Sequence, residues 1–287
     1  MWNSIEQAIA EATGNPFQIV DRSTVSGGCI NDAQRLDGAD SSFFVKTNDP
    51  SFLPLFEAEA EALREIAQTK TIRVPEPICH GMAGSDRSFL ALEFVQTGPE
   101  SAASQRELGE SLARLHKTKK EFFGWKRDNA IGSTHQPNDR GDDWATFYRD
   151  HRLGFQFDLA ARKGKSFQGA EELLERVPEL LAGHEVFPSI LHGDLWGGNA
   201  STDSKGMPFV FDPATYYGDR ETDLAFTEMF GGFSTDFGKA YENTFPLDVG
   251  YPRRKILYNL YHLLNHFNIF GGGYASSAQA SMEELLH

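Results

Sequence analysis

The sequence has little cysteine and no long apolar run. Its two cysteines, Cys29 and Cys79, have no Cys or His neighbours at zinc-finger spacing and are too few for a disulfide framework. No apolar stretch reaches the roughly 18 residues that a membrane span requires, and residues 1–15 lack the basic start and apolar core of a signal peptide. We therefore expect a soluble cytoplasmic protein with no membrane partner.

Positive charge is also scarce. Lysine and arginine total 27 against 41 acidic residues, which gives a net charge of −14. Such a surface repels phosphate backbones, so nucleic acid is not expected as a partner. A chain of 287 residues, 40% of them hydrophobic, is long enough to bury a sizeable core in one large domain or two lobes.

The hydrophobic pattern changes character near residue 95. Before that point it predicts short antiparallel strands between two helices, and after it the pattern is mostly helical with two short strands. The predicted helices cover 1–15, 53–66, 104–117, 143–161 and 252–269, with hairpins in 17–45 and strands near 89–95, 189–192 and 208–212. We expect an α+β, bilobal protein: a small antiparallel-sheet lobe, residues 1–95, and a larger mainly helical lobe, residues 96–287.

The strongest chemical signal lies in segment 191–199, which reads Leu-His-Gly-Asp-Leu-Trp-Gly-Gly-Asn. Asp194 is followed five positions later by Asn199, and Asp212 follows a short apolar run, as in the catalytic loop and metal-binding aspartate of kinases. Phosphoryl transfer needs a carboxylate to deprotonate the attacking hydroxyl and oxygen ligands to hold Mg²⁺. The pattern predicts Asp194 as catalytic base, with Asn199 and Asp212 as magnesium ligands.

The N-terminal part contains candidate ATP-binding residues. Gly27 and Gly28 lie between two predicted strands, where backbone amides could approach phosphate oxygens, although an ordinary hairpin turn predicts the same residues. Lys46 ends a predicted strand and resembles the kinase lysine that binds the phosphates. Among the glutamates of the next helix, Glu59 is one turn from Leu63 on the apolar stripe, so we expect it to pair with Lys46.

The last ATP-binding candidate is the segment Leu92, Glu93 and Phe94. It lies between the two predicted lobes, where the hinge of a kinase would hydrogen-bond adenine through its backbone. An ordinary buried strand would have the same side chains, so the prediction depends on position alone.

Further motifs extend this pattern over nearly the full length. They include Phe123-Gly124-Trp125, Asp143-Trp144, Asp212-Pro213-Ala214, Tyr216-Tyr217-Gly218, Phe230-Gly231-Gly232-Phe233 and Tyr261-His262-Leu263-Leu264-Asn265-His266. With these motifs the chain resembles the fructosamine kinase (ketosamine-3-kinase) family, within the aminoglycoside-phosphotransferase-like group of the protein-kinase-like fold. The resemblance implies ATP- and Mg²⁺-dependent phosphorylation of a sugar hydroxyl on fructosamine or ribulosamine adducts of amines or proteins, in deglycation.

Three residues gain an interpretation from this resemblance. Trp196 would lie near the acceptor, where its ring could stack on a sugar, and a core tryptophan that braces the loop is the alternative. Cys29, in the glycine-rich loop, is implied to be redox-sensitive, which leaves a monomer or a Cys29-linked homodimer open. Asp219 stands where the family pattern has a histidine, a departure that bears on the substrate.

Other functions are compatible with parts of the pattern. A kinase of another small acceptor, such as an aminoglycoside, choline or a sugar, would share the same catalytic residues. A catalytically silent ATP-binding scaffold is disfavoured because Lys46, Asp194, Asn199 and Asp212 are all present. A metal-dependent hydrolase that uses His192, Asp194 and Asp212 would need more ligands than this cluster supplies.

Overall fold

The computed structural model describes residues 1–25 and 31–287. The predicted phosphate-binding glycines Gly27 and Gly28, and Cys29, lie outside the described residues.

The N-terminal part is built on a five-stranded antiparallel sheet with the strand order β1-β2-β3-β5-β4. Two helices accompany it, and α1 buries Ile5 and Ile9 in an apolar cluster with residues of the sheet. The elements are α1 (Trp2–Thr13), β1 (Asp21–Thr24), β2 (Asp32–Asp37), β3 (Ser42–Asn48), α2 (Leu53–Gln68), β4 (Pro77–Met82) and β5 (Ser88–Glu93).

The rest of the chain is mainly helical, as expected of an α+β protein. Its helices are α3 (Ala102–His116), α4 (Trp144–Tyr148), α5 (Phe155–Arg162), α6 (Ala170–Leu180), α7 (Glu221–Thr227), α8 (Thr235–Thr244), α9 (Tyr251–Phe270) and α10 (Tyr274–Leu286). Three two-stranded ribbons complete it: β6 (Asn129–Ile131) with β7 (Thr134–Gln136), β8 (Ser189–Ile190) with β11 (Tyr217–Gly218), and β9 (Ala200–Thr202) with β10 (Pro208–Val210).

The hydrophobic pattern does not predict β4, because two prolines, Pro75 and Pro77, interrupt the sequence there. Pro77 is the first residue of β4, and β4 is an edge strand of the sheet. An edge strand needs fewer backbone donors, so proline is tolerated there.

The single helix predicted for 143–161 is divided in the structure. A π-helical turn, Arg149–Gly154, separates α4 from α5. Within this turn Arg152 is completely buried and donates to the backbone oxygen of Pro137 and to Oδ1 of Asn138, both 2.7 Å away. The π turn accommodates this buried cation, a long-range contact that helical periodicity does not reveal.

The two predicted strands around the catalytic segment are shorter than expected. β8 ends at Ile190, because the backbone N–H groups of His192 and Gly193 donate to Asp223 on α7. β10 ends at Val210, so Asp212 lies beyond the strand. The candidate site residues Asp194 and Asp212 therefore lie in the loops that follow β8 and β10 respectively.

Within the described residues, no helix has both the length and the apolar character needed to cross a membrane.

The larger apolar core joins α2 to the helical part. It contains Phe56, Leu63 and Ile66 of α2 together with Leu112, Tyr216 and Leu264 of the helical part. The boundary at residues 95 and 96 stays a prediction.

Candidate active site

Lys46 on β3 is the cation of the site. It is 4% exposed, and its Nζ donates to Oε1 of Glu59 at 2.7 Å and to Oδ1 of Asp212 at 2.5 Å. Glu57 and Glu61, on the same helix as Glu59, instead pair with Arg127. One buried ammonium thus joins the sheet, α2 and the loop after β10.

The charge state of Lys46 follows from its neighbours. Burial alone would lower its pKa, but the charges of Asp212 and Glu59 and their hydrogen bonds outweigh this effect and raise it. The lysine therefore stays protonated at neutral pH, which suits a group that binds phosphate oxygens.

Asp194 lies in the loop between β8 and β9 and is held by Asn199. The Nδ2 atom of Asn199 donates to the backbone oxygen of Asp194 at 2.8 Å and to its Oδ2 at 3.1 Å. Burial, and then the charge of Asp212, raise the pKa of Asp194 to about 7, against the lowering effect of the Asn199 hydrogen bond. A partly buried carboxylate with a pKa near neutrality is suited to accept a proton from an alcohol.

Asp212 has an unusual backbone conformation. Its φ of 57° lies in the left-handed region, which is uncommon for residues other than glycine. Its side chain is 40% exposed, and one carboxylate oxygen bonds Lys46. The strained backbone carries the carboxylate away from the end of β10 and into the cleft beside Lys46.

The oxygens at this site fit a magnesium ion. Asn199 uses its Nδ2 to bind Asp194, so its side-chain oxygen is the atom that can act as a ligand, and Asp212 contributes carboxylate oxygens. Hard oxygen donors without thiolate or imidazole suit Mg²⁺ better than zinc. The buried lysine beside them matches the charge of a nucleotide phosphate.

Two residues that the sequence pattern does not single out, Asp223 and His116, hold segment 191–199 in place from the side away from the cleft. The carboxylate of Asp223 accepts the backbone N–H of His192 at 2.7 Å and that of Gly193 at 2.8 Å, and its Oδ2 lies 3.1 Å from Nε2 of His116. Asp223 belongs to the motif Asp223-Leu224-Ala225, whose position after Tyr216-Tyr217-Gly218 was the one available signal.

His192 also supports the loop. Its Nε2 lies 2.9 Å from the backbone oxygen of Phe211, which can only accept, so Nε2 carries the proton and Nδ1 is free to accept the N–H of Asp194. Burial lowers the pKa of His192 and keeps the ring neutral. The histidine thereby links the segment that carries Asp194 to the one that carries Asp212.

The three hinge candidates lie at the end of β5. Leu92 is buried in the sheet, and Glu93 pairs with Arg73 at 2.9 Å and donates its backbone N–H to Glu76 at 2.8 Å. The ring of Phe94 lies 4.3 Å from the guanidinium of Arg35. The backbone N–H of Glu93 is therefore already bonded to the residue that precedes β4.

A cleft of about 260 Å³ joins the groups around Lys46 and Asp194, and its walls do not include Leu92, Glu93 or Phe94. Its walls include Lys46, Glu59, Asp194, Asn199 and Asp212, and also Trp196, which is 38% exposed. The Trp196 ring also covers Gly198, where an added Cβ would lie 2.2 Å from the indole. The side chain therefore faces the cleft and braces the loop at once.

Asp219 is separate from this cleft. It is buried and accepts hydrogen bonds from His184 at 2.7 Å and Tyr258 at 2.5 Å, beside a second cavity of about 260 Å³. Glu221 and Arg254 form an ion pair nearby. The departure at Asp219 thus changes a buried ionic network and leaves the lining of the cleft as it is.

The whole sequence, residues 1–287, matches the family model described as fructosamine kinase. A Synechocystis sp. protein named as a probable ketoamine kinase is 46% identical over 99% of this chain and 97% of its own length. A chloroplastic protein-ribulosamine 3-kinase of Arabidopsis thaliana is 41% identical over 95% of this chain and 85% of its own.

A solved structure shows the same relationship. A Haemophilus somnus protein described as a candidate fructosamine-3-kinase is 34% identical, with a TM-score of 0.93 over 100% of this chain and 98% of the other. The predicted bilobal protein-kinase-like fold is thereby confirmed. The chain belongs to the fructosamine kinase family.

Proposed function

We propose that this protein is an ATP-dependent kinase that phosphorylates a sugar hydroxyl of ketoamines, the fructosamine and ribulosamine adducts of amines. The observation that carries the proposal is the placement of Lys46, Glu59 and Asp212 in one cleft with Asp194 and Asn199. The names of the relatives, ketoamine kinase and protein-ribulosamine 3-kinase, support the class of acceptor.

One group of residues in the cleft serves the nucleotide and its metal ion, and a second group, Asp194 and Trp196, serves the acceptor. Lys46 binds phosphate oxygens, Glu59 orients Lys46, and Asp212 and Asn199 supply magnesium ligands. Gly27, Gly28, Leu92, Glu93 and Phe94 are the further nucleotide contacts proposed from the sequence. Magnesium-ATP, when bound, supplies the phosphoryl group and neutralises the charge that develops on it.

Asp194 accepts the proton of the acceptor hydroxyl as that oxygen attacks the γ-phosphorus of ATP, and the bond to the bridging oxygen breaks to release ADP. The Asn199 hydrogen bond holds the carboxylate, and partial burial raises its pKa towards neutrality, which suits a general base. Trp196 offers an exposed aromatic face beside this carboxylate for the sugar ring. A 3-phosphate formed in this way is unstable and releases the amine, so the biological role would be deglycation.

The remaining partners and the compartment are proposals from the sequence. Small ketoamines and glycated proteins are both proposed acceptors, and the cytoplasm is the proposed compartment.

A redox-linked homodimer through Cys29 is the proposed alternative to a monomer. A non-reducing gel after peroxide treatment tests it with Cys29→Ser as the control, and the absence of a dimer of the unsubstituted protein would contradict it.

The direct test is magnesium-dependent ADP formation from ATP with fructosamine, ribulosamine, aminoglycoside and simple sugar acceptors. Asp194→Asn preserves the shape of the side chain and removes the base, so we expect kcat to fall on the order of a hundredfold or more while nucleotide binding is kept. Near-normal turnover by Asp194→Asn would contradict the assigned role.

The pattern of acceptors separates the competing functions. Turnover confined to the ketoamines establishes the proposed function. Turnover with an aminoglycoside or a simple sugar keeps the mechanism and replaces the acceptor. ATP binding without turnover of any acceptor favours the scaffold.

A further inference from the structure

The mouth of the cleft has an aromatic rim, defined here as the exposed Phe230 and Phe270 and the partly buried His266 between them. Phe230 is 43% exposed and Phe270 is 58% exposed, so both are among the most exposed large apolar side chains of the described residues. His266 lies between them, with ring centroids 5.0 Å from Phe230 and 5.8 Å from Phe270. Exposed aromatic side chains that touch one another mark a binding surface more often than isolated ones do.

The rim is continuous with the catalytic loop. The ring centroid of Phe230 lies 6.4 Å from that of Trp196, edge to face, and His266 and Phe270 line the same cleft as Asp194. The rim therefore lies where a molecule that reacts at Asp194 would extend out of the cleft.

The backbone fixes Phe230 in this place. Gly232 has a φ of 95°, and a Cβ added there would lie 2.6 Å from the Cα of Gly197. The two glycine segments, 231–232 and 197–198, thus pack backbone against backbone. Any larger residue at Gly232 would push Phe230 away from the catalytic loop.

The charges of the cleft are unevenly distributed. Among the described residues that line it, the carboxylates are Glu59, Asp194 and Asp212, which all belong to the phosphoryl-transfer group. Burial lowers the pKa of His266, so its ring is neutral at neutral pH. The rim offers aromatic surface and no formal charge to whatever part of the substrate reaches it.

We infer that this rim binds the substituent on the amine of the ketoamine and selects uncharged apolar or aromatic ones. The inference rests on the proposed function. The amine of a ketoamine is a secondary amine that is protonated at neutral pH, and a cation is stabilised over an aromatic face. An apolar substituent beyond it is buried against Phe230 and Phe270, whereas a carboxylate there meets no cationic side chain of the described rim residues.

The test compares adducts of one ketose with benzylamine, ethylamine and glycine, measured as kcat/KM. We expect the benzylamine adduct to exceed the ethylamine adduct by roughly threefold to tenfold, the range of one aromatic contact, and the glycine adduct to be the poorest. Phe230→Ala and Phe270→Ala should each bring the benzylamine to ethylamine ratio towards one. Met207→Ala removes a side chain that is 50% exposed outside the cleft and should leave the ratio unchanged.

A general loss of activity lowers kcat/KM for both adducts equally, so the ratio changes only when selectivity changes. Phe230→Leu keeps an apolar side chain without the ring, so it should lose most of the selectivity if Phe230→Ala does not fold. A ratio that is the same in wild type and rim variants, or a preference for the glycine adduct, would overturn the inference alone. Absence of turnover with all three adducts would remove the proposed function and the inference with it.

Discussion

His262 shows at the scale of one residue how burial changes side-chain chemistry. It is 3% exposed, its ring lies parallel to that of Phe226 with centroids 3.6 Å apart, and its Nδ1 is buried without a hydrogen-bond partner among the described residues. Burial, with a smaller contribution from His266, lowers the pKa of His262 to about 3. The ring of His262 is therefore a neutral part of the core, stacked on Phe226 next to the aromatic rim.

This pKa predicts acid sensitivity. The unfolded imidazole binds a proton below about pH 6.5, whereas the folded one does so only near pH 3, so stability is full above 6.5 and falls as the pH decreases between these values. The contribution of His262 should fall by about 1.4 kcal/mol per pH unit in that window. His262→Phe keeps the ring stack and removes the titration.

Urea unfolding of wild type and His262→Phe at pH 7 and pH 5 checks this prediction. The variant should lose less free energy of unfolding between the two pH values than the wild type does. An equal loss in both proteins would assign the acid sensitivity to other groups.

At the scale of elements, α2 is held by charged side chains on two sides. Glu59 faces Lys46 in the cleft, while Glu65 receives hydrogen bonds from Tyr217 at 2.6 Å, Lys120 at 2.7 Å and Trp125 at 2.9 Å. Trp125 belongs to the family motif Phe123-Gly124-Trp125, which thus has a structural reason. The contacts of Glu65 tie α2, and with it Glu59, to the helical part of the protein.

We therefore predict that Glu65→Ala weakens both stability and nucleotide use. Three donors would lose a half-buried acceptor, which should lower the free energy of unfolding by roughly 1–3 kcal/mol. A loosened α2 should raise KM for ATP more than KM for the acceptor, because Glu59 orients Lys46. Chemical denaturation and steady-state kinetics measure these effects.

Glu110→Ala is the matched control, since Glu110 forms an exposed ion pair with Arg114 on α3. It should change neither quantity measurably. Equal KM changes for ATP and acceptor in Glu65→Ala would show that Glu65 supports the fold without positioning Glu59.

At the scale of the whole molecule, the cleft combines groups from distant parts of the chain. Lys46 and Asp212 are 166 positions apart and meet only in the folded protein. Arg73 strengthens this junction: its backbone oxygen accepts the N–H of Val210 at 3.0 Å, and its guanidinium pairs with Glu93 and Asp203. A ligand that binds both groups should stabilise the folded chain as a unit.

Magnesium-ADP should therefore raise the melting temperature. At a concentration of 100 times Kd the gain is about 2.7 kcal/mol, which corresponds to roughly 5–10 °C for a chain of this size. Removal of Mg²⁺ with EDTA should abolish most of the shift. In Asp212→Asn, the shift with ADP should no longer depend on Mg²⁺.

Thermal unfolding with ADP, with and without Mg²⁺, measures this linkage. Asp236→Asn is the control, because Asp236 is a partly exposed aspartate paired with Arg106 on the surface. A full magnesium-dependent shift in Asp212→Asn would remove Asp212 from the proposed metal ligands.

The sequence by itself determined the family, the α+β class and the order of the reactive groups along the chain. Asp194, Asn199 and Asp212 are recognisable because their spacing within a short segment follows from their local roles in one loop and the strand beside it. The preference for Glu59 over its neighbours came from helical periodicity, which is also local. The spacing of residues along the chain determines short-range geometry of this kind directly.

Only the tertiary structure decided which distant side chains support these groups. Asp223 reaches the backbone of the catalytic loop, Glu65 meets Tyr217 across 152 positions, and Phe230 joins His266 at the mouth of the cleft. These contacts depend on how helices and sheet bury their apolar faces together, and no periodicity along the chain encodes the partner. The reactive groups could thus be predicted from local pattern. The residues that hold them in place, and the aromatic rim, could be identified only from the packed fold.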